Sequence, residues 1–415
     1  MDSINKTRKS VIVPLLIVGS MNAVLGFALG VNAFFIPFVQ QAFNVTTSMS
    51  YLIMVATFSA YLVFGGATGP ILKKVGYKRG MVLALLLMAV GFLMIVPSAK
   101  MVSFPLFLAA LFVNGLGQAL LTGSYSTYVS IIGNPASAAA RISVMGIFAK
   151  VFYAIASLIL AFFIDLSNVR ITDTITPFYI IAVILFMMGI VYYFSPLPEI
   201  KAIGEDMEDT EDAFDDNHLS VYAHSKTSIW QFPHLILGVV AIFFTVGAEY
   251  LALGTINDFA QNLGLPNPQN YVWLVSFSMI LGYTCGVLFI PKYLSQTRAL
   301  VVSTLLGIAV TLLILLLRGP VSIYLVPVLG LANALLWPSV WPLAIQDLGK
   351  FTKTGSSLLV TGIIGAGIIP LIFGFLAEKQ GYQFAYIVGF VCYFYILYFA
   401  LWGSKIRTKQ IPGAS

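Results

Sequence analysis

Two side chains in this sequence carry charge where their neighbours are apolar for a full membrane thickness. Glu249 sits between AIFFTVGA and YLALGT, about 16 residues and roughly 24 Å into its apolar run. Lys150 lies about 11 residues into another, close to mid-membrane. An ionisable group inside a bilayer is expensive, so each demands a function or a structural partner. A carboxyl at Glu249 can accept hydrogen bonds from ligand hydroxyls and can bind and release a proton. The Lys150 ammonium can pair with Glu249, hold a substrate carboxylate or donate to ring oxygens. Structural pairing is the alternative for both. Three amides and an indole stand at one-turn spacing: Asn114 with Gln118, and Asn333 with Trp337, with Trp341 extending the second stripe. Asn32 is a further intramembrane amide. Each amide can bind a ligand hydroxyl or serve as interhelical glue.

The elements that hold these residues are membrane spans. The chain has 415 residues, 59% of them hydrophobic and 9% charged, with a mean hydropathy of +0.94. A water-facing surface needs about 25% charged residues. A multidomain soluble protein is therefore excluded, and an all-α polytopic membrane protein is expected. Twelve runs are long enough to cross: roughly 11–38, 47–71, 81–99, 104–131, 139–165, 175–195, 233–257, 270–290, 299–317, 321–345, 355–377 and 382–403. They are too long for barrel strands and do not alternate. The first is too long for a cleavable leader.

Basic residues are sorted by side. Lys6, Arg8 and Lys9 precede span one; Lys73, Lys74, Lys78 and Arg79 follow span two; Lys405, Arg407 and Lys409 follow span twelve. Arg141, Lys201, Lys226, Lys292, Arg298, Lys350 and Lys353 fall in connections on the same side. Lys100, Arg170, Arg318 and Lys379 fall on the other. The positive-inside rule then places both termini in the cytoplasm, in the cell (inner) membrane. This sorting explains the net charge of +6 without nucleic acid. More than half of the sixteen acidic residues lie in Glu199–Asp216, a solvated linker over 196–231 between helical bundles 1–195 and 232–415. Cys285 and Cys392 lie in apolar runs, and His218, His224 and His234 lie in or beside the polar segment. No disulfide framework, metal site or cofactor is expected. No phosphate loop or nucleophile–base pair supports an enzyme.

The two bundles resemble each other. Gly133-Asn-Pro…Arg141-Ile-Ser-Val-Met-Gly146-Ile and Gly349-Lys-Phe…Ser357-Leu-Leu-Val-Thr-Gly362-Ile align at one constant offset. The connections beginning at Gly69 and Gly286 align at nearly the same offset. A duplicated six-helix unit is expected.

The connection Gly69-Pro-Ile-Leu-Lys73-Lys74-Val-Gly76-Tyr-Lys78-Arg79 resembles the major facilitator signature G-x-x-x-D-[RK]-x-G-[RK]-[RK]. Its usual acid is Lys73 here. Ile345-Gln-Asp-Leu-Gly349, Thr352-Lys-Thr-Gly355-Ser356-Ser357 and Gly362-Ile-Ile-Gly365-Ala-Gly367 resemble the fucose/glucose/galactose-type sugar symporter family of that superfamily. Trp337-Pro-Ser-Val-Trp341-Pro-Leu-Ala, Arg141–Lys150 and Gly247-Ala-Glu249 favour its glucose/galactose and N-acetylglucosamine branch.

The resemblance implies twelve helices in two pseudo-symmetric six-helix bundles. It also implies import of a monosaccharide by cation-coupled alternating access about a midplane site. Gly69, Lys73, Lys74, Lys78 and Arg79 would form the gate latch. Asn32, Asn114, Gln118, Lys150, Glu249, Asn333 and Trp337 would bind sugar, with amides bonding hydroxyls and rings covering the C–H face. Fucose-type acids are absent from spans one and four, where Ala33 and the run Leu120–Tyr125 stand. Coupling, to H⁺ or Na⁺, would then run through Glu249, use sodium, or be absent. The expected partners are the sugar and the bilayer, with a monomer as the working unit. The alternatives are a carrier of sugar acids or other organic anions, in which Lys150 holds the carboxylate, and a drug–proton antiporter. Lys73 weighs against the antiporter, because efflux pumps keep the signature acid.

Overall fold

The computed structural model describes residues 2–45, 49, 52–164, 170–201, 223, 226–266, 271–317 and 320–407. Among these, every regular element is helical. Eleven helices are long and apolar enough to cross a membrane. One of them, Leu52–Lys100, has 49 residues, about twice what a bilayer requires. Inside it Gly76 adopts φ +80° and ψ 174°, which is not helical. Glycine tolerates that conformation, and the helix divides there into spans two and three. Twelve spans result.

Span one is Asp2–Ala42, span four Phe104–Ile131, span five Ala138–Ala161 and span six Ile175–Tyr193. Span seven is Pro233–Asn262, span eight Tyr271–Phe289 and span nine Gln296–Leu316. Span ten, expected as one run, is broken into Val321–Ala334 and Leu336–Ile345. Pro338 has no N–H for the carbonyl of Ala334, so a ladder bond is missing there. Span eleven is Thr352–Thr361 and Gly365–Gln380 with a tighter turn at Gly362–Ile364; span twelve is Tyr382–Ala385 and Val388–Leu401. Large apolar side chains such as Val63, Phe186 and Leu288 are more than half exposed, as lipid-facing residues are. The acidic linker lies largely outside the described residues.

The chain forms two compact units, Met1–Tyr125 with Met145–Glu199, and Ser126–Val144 with Ile200–Ser415. In the first unit, spans one and five meet backbone to backbone. A Cβ on Gly26 would collide with the Ala149 carbonyl oxygen, and one on Gly30 with that of Tyr153. Asn22 Nδ2 donates to Met145 O at 2.7 Å along the same seam.

In the second unit, spans seven and eleven meet in the same way. A Cβ on Gly365 would collide with the Phe243 carbonyl oxygen, and one on Gly247 with the side chain of Ile369. Gly26 and Phe243, Ala149 and Gly365, Gly30 and Gly247, and Tyr153 and Ile369 are each separated by the repeat offset, to within a single position. One helix seam was thus built twice, extending the repeat from the connections into the spans. The second unit also includes the span four–five turn. Gln296 accepts from Ala139 N and donates to Pro135 O, each at 3.1 Å, and Thr127 donates to Ser356 Oγ at 2.5 Å. Arg141 caps the end of span four by donating to the carbonyls of Val129, Ser130 and Asn134.

Candidate functional site

Lys150 follows Ala149, the residue whose carbonyl abuts Gly26, so the close seam of spans one and five fixes its position. Its side chain is 5% exposed, with the ammonium 5.4 Å from the Tyr153 ring centre. Asn32 stands two residues beyond Gly30 on span one. It donates to Thr57 Oγ1 at 3.1 Å, while among the described residues its buried Oδ1 meets no hydrogen-bond partner.

Asn114 and Gln118 are joined to each other rather than left open. Gln118 donates to Asn114 Oδ1 at 2.6 Å, and Asn114 donates to Met88 O at 2.9 Å. Tyr61 donates to Gln118 Oε1 at 3.3 Å. Gly91, packed against the Asn114 backbone, allows the short reach to Met88. The pair therefore ties spans two, three and four. The expected one-turn spacing is present, and each of the pair's four side-chain polar atoms already has a partner inside the unit.

Glu249 is two residues beyond Gly247 and 9% exposed. It occupies the repeat position of Asn32, as Gly247 occupies that of Gly30. Asn333 donates to the carbonyl of Ala248, its neighbour, at 2.9 Å and accepts from Tyr393 OH at 2.7 Å. Spans seven, ten and twelve are thus pinned at the level of Glu249. The Trp337 and Trp341 rings lie 4.9 Å apart at 34°, which is the predicted stripe. Trp341 is fully buried and Trp337 partly so; among the described residues neither indole N–H meets an acceptor.

Asp258 is a span-seven acid that the sequence reading passed over. It lies nine residues after Glu249, which is about two and a half turns and hence the opposite helix face. It points away from Glu249.

At the signature turn, Gly69 is buried, Lys73, Lys74 and Arg79 are exposed, and Lys78 donates to Ser195 O at 2.7 Å. The missing acid has a structural answer that the sequence reading also missed. Glu199, counted there within the solvated linker, accepts from Tyr77 N at 2.5 Å and Lys78 N at 3.0 Å. It caps span three from beyond span six, and its carboxylate occupies the space a Cβ on Gly76 would need. A lysine at position 73 left the span-three N–H groups without an evident local acid, and that was the available signal.

In the second unit, Arg407 donates to Asp347 Oδ2 at 2.8 Å, joining the residues after spans ten and twelve. His234 Nε2 bonds Gln346 O at 2.9 Å beside them. Burial raises the Asp347 carboxyl above the usual range, opposed by the Arg407 charge. Among the described residues no group of His, Cys, Asp and Glu could hold a metal ion.

Known proteins resemble this chain along nearly its full length. A glucose/galactose transporter of Brucella abortus biovar 1 (strain 9-941) is 29% identical over 393 residues, covering 92% of this chain and 91% of the relative. An L-fucose-proton symporter of Escherichia coli (strain K12) is 24% identical over 429 residues, covering 97% and 95%. The crystal structure of the E. coli fucose:proton symporter superposes with a TM-score of 0.77 at 22% identity, covering 94% of this chain and 98% of that one, and so shares the fold. The profile of the Major Facilitator Superfamily matches residues 18–362. With most of its length matched, the chain belongs to the Major Facilitator Superfamily, a family of multi-pass membrane transporters and not of enzymes.

Proposed function

We propose that this protein is a secondary active transporter importing a monosaccharide of the glucose, galactose, fucose or N-acetylglucosamine class by cation-coupled alternating access. The observation that carries the reading is Glu249: a carboxylate 9% exposed deep in span seven, beside the carbonyl held by Asn333. The Brucella relative named as a glucose/galactose transporter, matched over 92% of this chain, supports the substrate class. The E. coli relative named as a proton symporter supports the coupling.

Glu249 binds sugar hydroxyls and carries the coupling ion, H⁺ or Na⁺. Trp337 covers the apolar face of the ring, and Lys150 and Asn32 supply further polar contacts. Asn114, Gln118 and Asn333 serve first to position their spans and reach sugar only through bonding capacity left over. Gly69, Lys73, Lys74, Lys78 and Arg79 latch the cytoplasmic gate. Both termini are cytoplasmic, the working unit is a monomer in the cell membrane, and no cofactor takes part.

Uptake of labelled sugars into proteoliposomes under an imposed proton or sodium gradient tests this. Wild type accumulates one of the four sugars and loses accumulation with a protonophore or without sodium. Glu249→Gln retains exchange but does not accumulate. Full accumulation by Glu249→Gln would remove it from coupling. Absence of any sugar uptake would overturn the substrate class. Lys150, buried to 5% exposure, favours a second reading in which the substrate is a sugar acid. Sugar acids in the same uptake panel decide between the two.

A further inference from the structure

Hydroxyl side chains in these spans have a default partner. Thr255, Thr304 and Thr311 each donate to the carbonyl four residues back, at 2.6, 2.6 and 2.7 Å. That bond satisfies a hydroxyl where no water is available. Thr122, Ser126, Ser339 and, on span seven, Thr245 depart from the habit. Thr245 is 1% exposed, yet among the described residues its Oγ1 meets no hydrogen-bond partner, with the carbonyl of Ala241 one turn away. An unmet buried hydroxyl is destabilising, so its orientation calls for a reason.

The packing of spans seven and ten supplies one. Gly238 faces Ala344, where a Cβ would sit 2.5 Å from the alanine methyl. Further along, Asn333 reaches the Ala248 carbonyl at 2.9 Å. Between these contacts span seven advances by ten residues and span ten retreats by eleven, so the helices run antiparallel in steady register. Thr245 lies seven residues after Gly238 and Trp337 seven before Ala344. Seven residues are about two turns and return to the same face. Thr245 and Trp337 therefore stand level on the two facing stripes. Glu249 is the next residue along the Thr245 stripe, level with Asn333 on the other, while Trp341 lies one turn the opposite way.

Two residues with unmet polar atoms, Thr245 and Trp337, thus stand on facing stripes within about a turn of Glu249. An indole N–H only donates, a carboxylate only accepts, and a threonine hydroxyl does both. A ligand hydroxyl at this level accepts from Trp337 and exchanges a bond with Thr245, while its neighbour on the ring donates to Glu249. We infer that Thr245 is a sugar-binding residue, and that with Trp337 it sets which ring hydroxyl the protein requires. The inference rests on the sugar reading above and adds to it the residue that reads hydroxyl configuration.

Affinities of purified full-length protein for D-glucose, D-galactose, L-fucose, N-acetylglucosamine and the monodeoxy analogues of the best binder test it. Thr245→Val keeps the shape and removes the hydroxyl; Thr245→Ser keeps the hydroxyl. Thr245→Val binds the best sugar about tenfold more weakly, equivalent to about 1.4 kcal/mol, while Thr245→Ser stays within about threefold. For one deoxy analogue, wild type and Thr245→Val bind alike, which names the hydroxyl recognised. Unchanged affinity in Thr245→Val with a higher melting temperature of the sugar-free protein would make Thr245 a mere unsatisfied group and overturn the inference alone. Thr245→Ala serves the same comparison should the valine variant misfold. Wild type that binds no sugar would overturn the inference together with the sugar reading.

Discussion

The duplicated seam predicts opposite outcomes for two chemically identical substitutions. Gly365→Ala adds a methyl where the Phe243 carbonyl oxygen already stands, so spans seven and eleven must part or the helix must shift. Fixed backbone cannot yield as a side chain can, and overpacking of this kind costs about 1–3 kcal/mol. Gly374→Ala, on the same span, meets nothing within 4 Å. There the methyl only raises helix propensity, a gain of up to about 1 kcal/mol. The two variants should therefore differ by roughly 1–4 kcal/mol. Gly26→Ala, at the glycine that closes the matching seam of the first unit from the opposite helix, should lose as much as Gly365→Ala does. Thermal unfolding of the three proteins in one detergent, followed by their intrinsic tryptophan fluorescence, reads the difference. Equal melting temperatures for Gly365→Ala and Gly374→Ala would refute the argument that these seams are held by backbone contact. A loss at Gly365 without one at Gly26 would refute the equivalence of the two seams.

Two further outcomes are expected. Lys150→Ala should weaken ligand binding by about 1–3 kcal/mol, the size of a lost charged hydrogen bond, in equilibrium titrations of folded protein; unchanged affinity would make it structural. Asp347 has its carboxyl raised in the folded state, so the stability it contributes is fully present below its unfolded pKa and declines as pH rises through the folded value. The melting temperature of wild type relative to Asp347→Asn should accordingly fall as pH rises above the ordinary aspartate range, and a rising difference would refute the sign.

Much of this fold could be read from the chain because a bilayer leaves few choices. Apolar runs of about 20 residues must be helices, so span four was legible end to end and most others to within a turn. Gly76 was visible as a signature glycine, though the expected polar turn over 72–80 contracts to a break at that one residue. The break in span ten was not legible, since hydropathy runs unbroken through Leu335. The candidate site divides in the same manner. Glu249 and Lys150 were legible because charge is rare in spans. The bonding of Asn114, Gln118 and Asn333 was not, because an amide's partners come from helices distant in sequence. Thr245 was invisible for a subtler reason. Threonine is ordinary in membrane helices, and only an unmet hydroxyl together with a place opposite Trp337 and one turn from Glu249 distinguishes it. Glu199 looked like one more acid in an acidic tract until folding brought it to Tyr77 and Lys78.

That last contact changes how the chain leaving span six is mounted. A tether leaving directly from span six would transmit any tug straight into that helix. Here Glu199 is moored to two backbone amides of span three, and Lys78 grips the carbonyl of Ser195 just upstream. The mooring acts as strain relief does on a cable. A pull on the chain beyond Glu199 would meet these bonds at the span two–three turn before it reached span six.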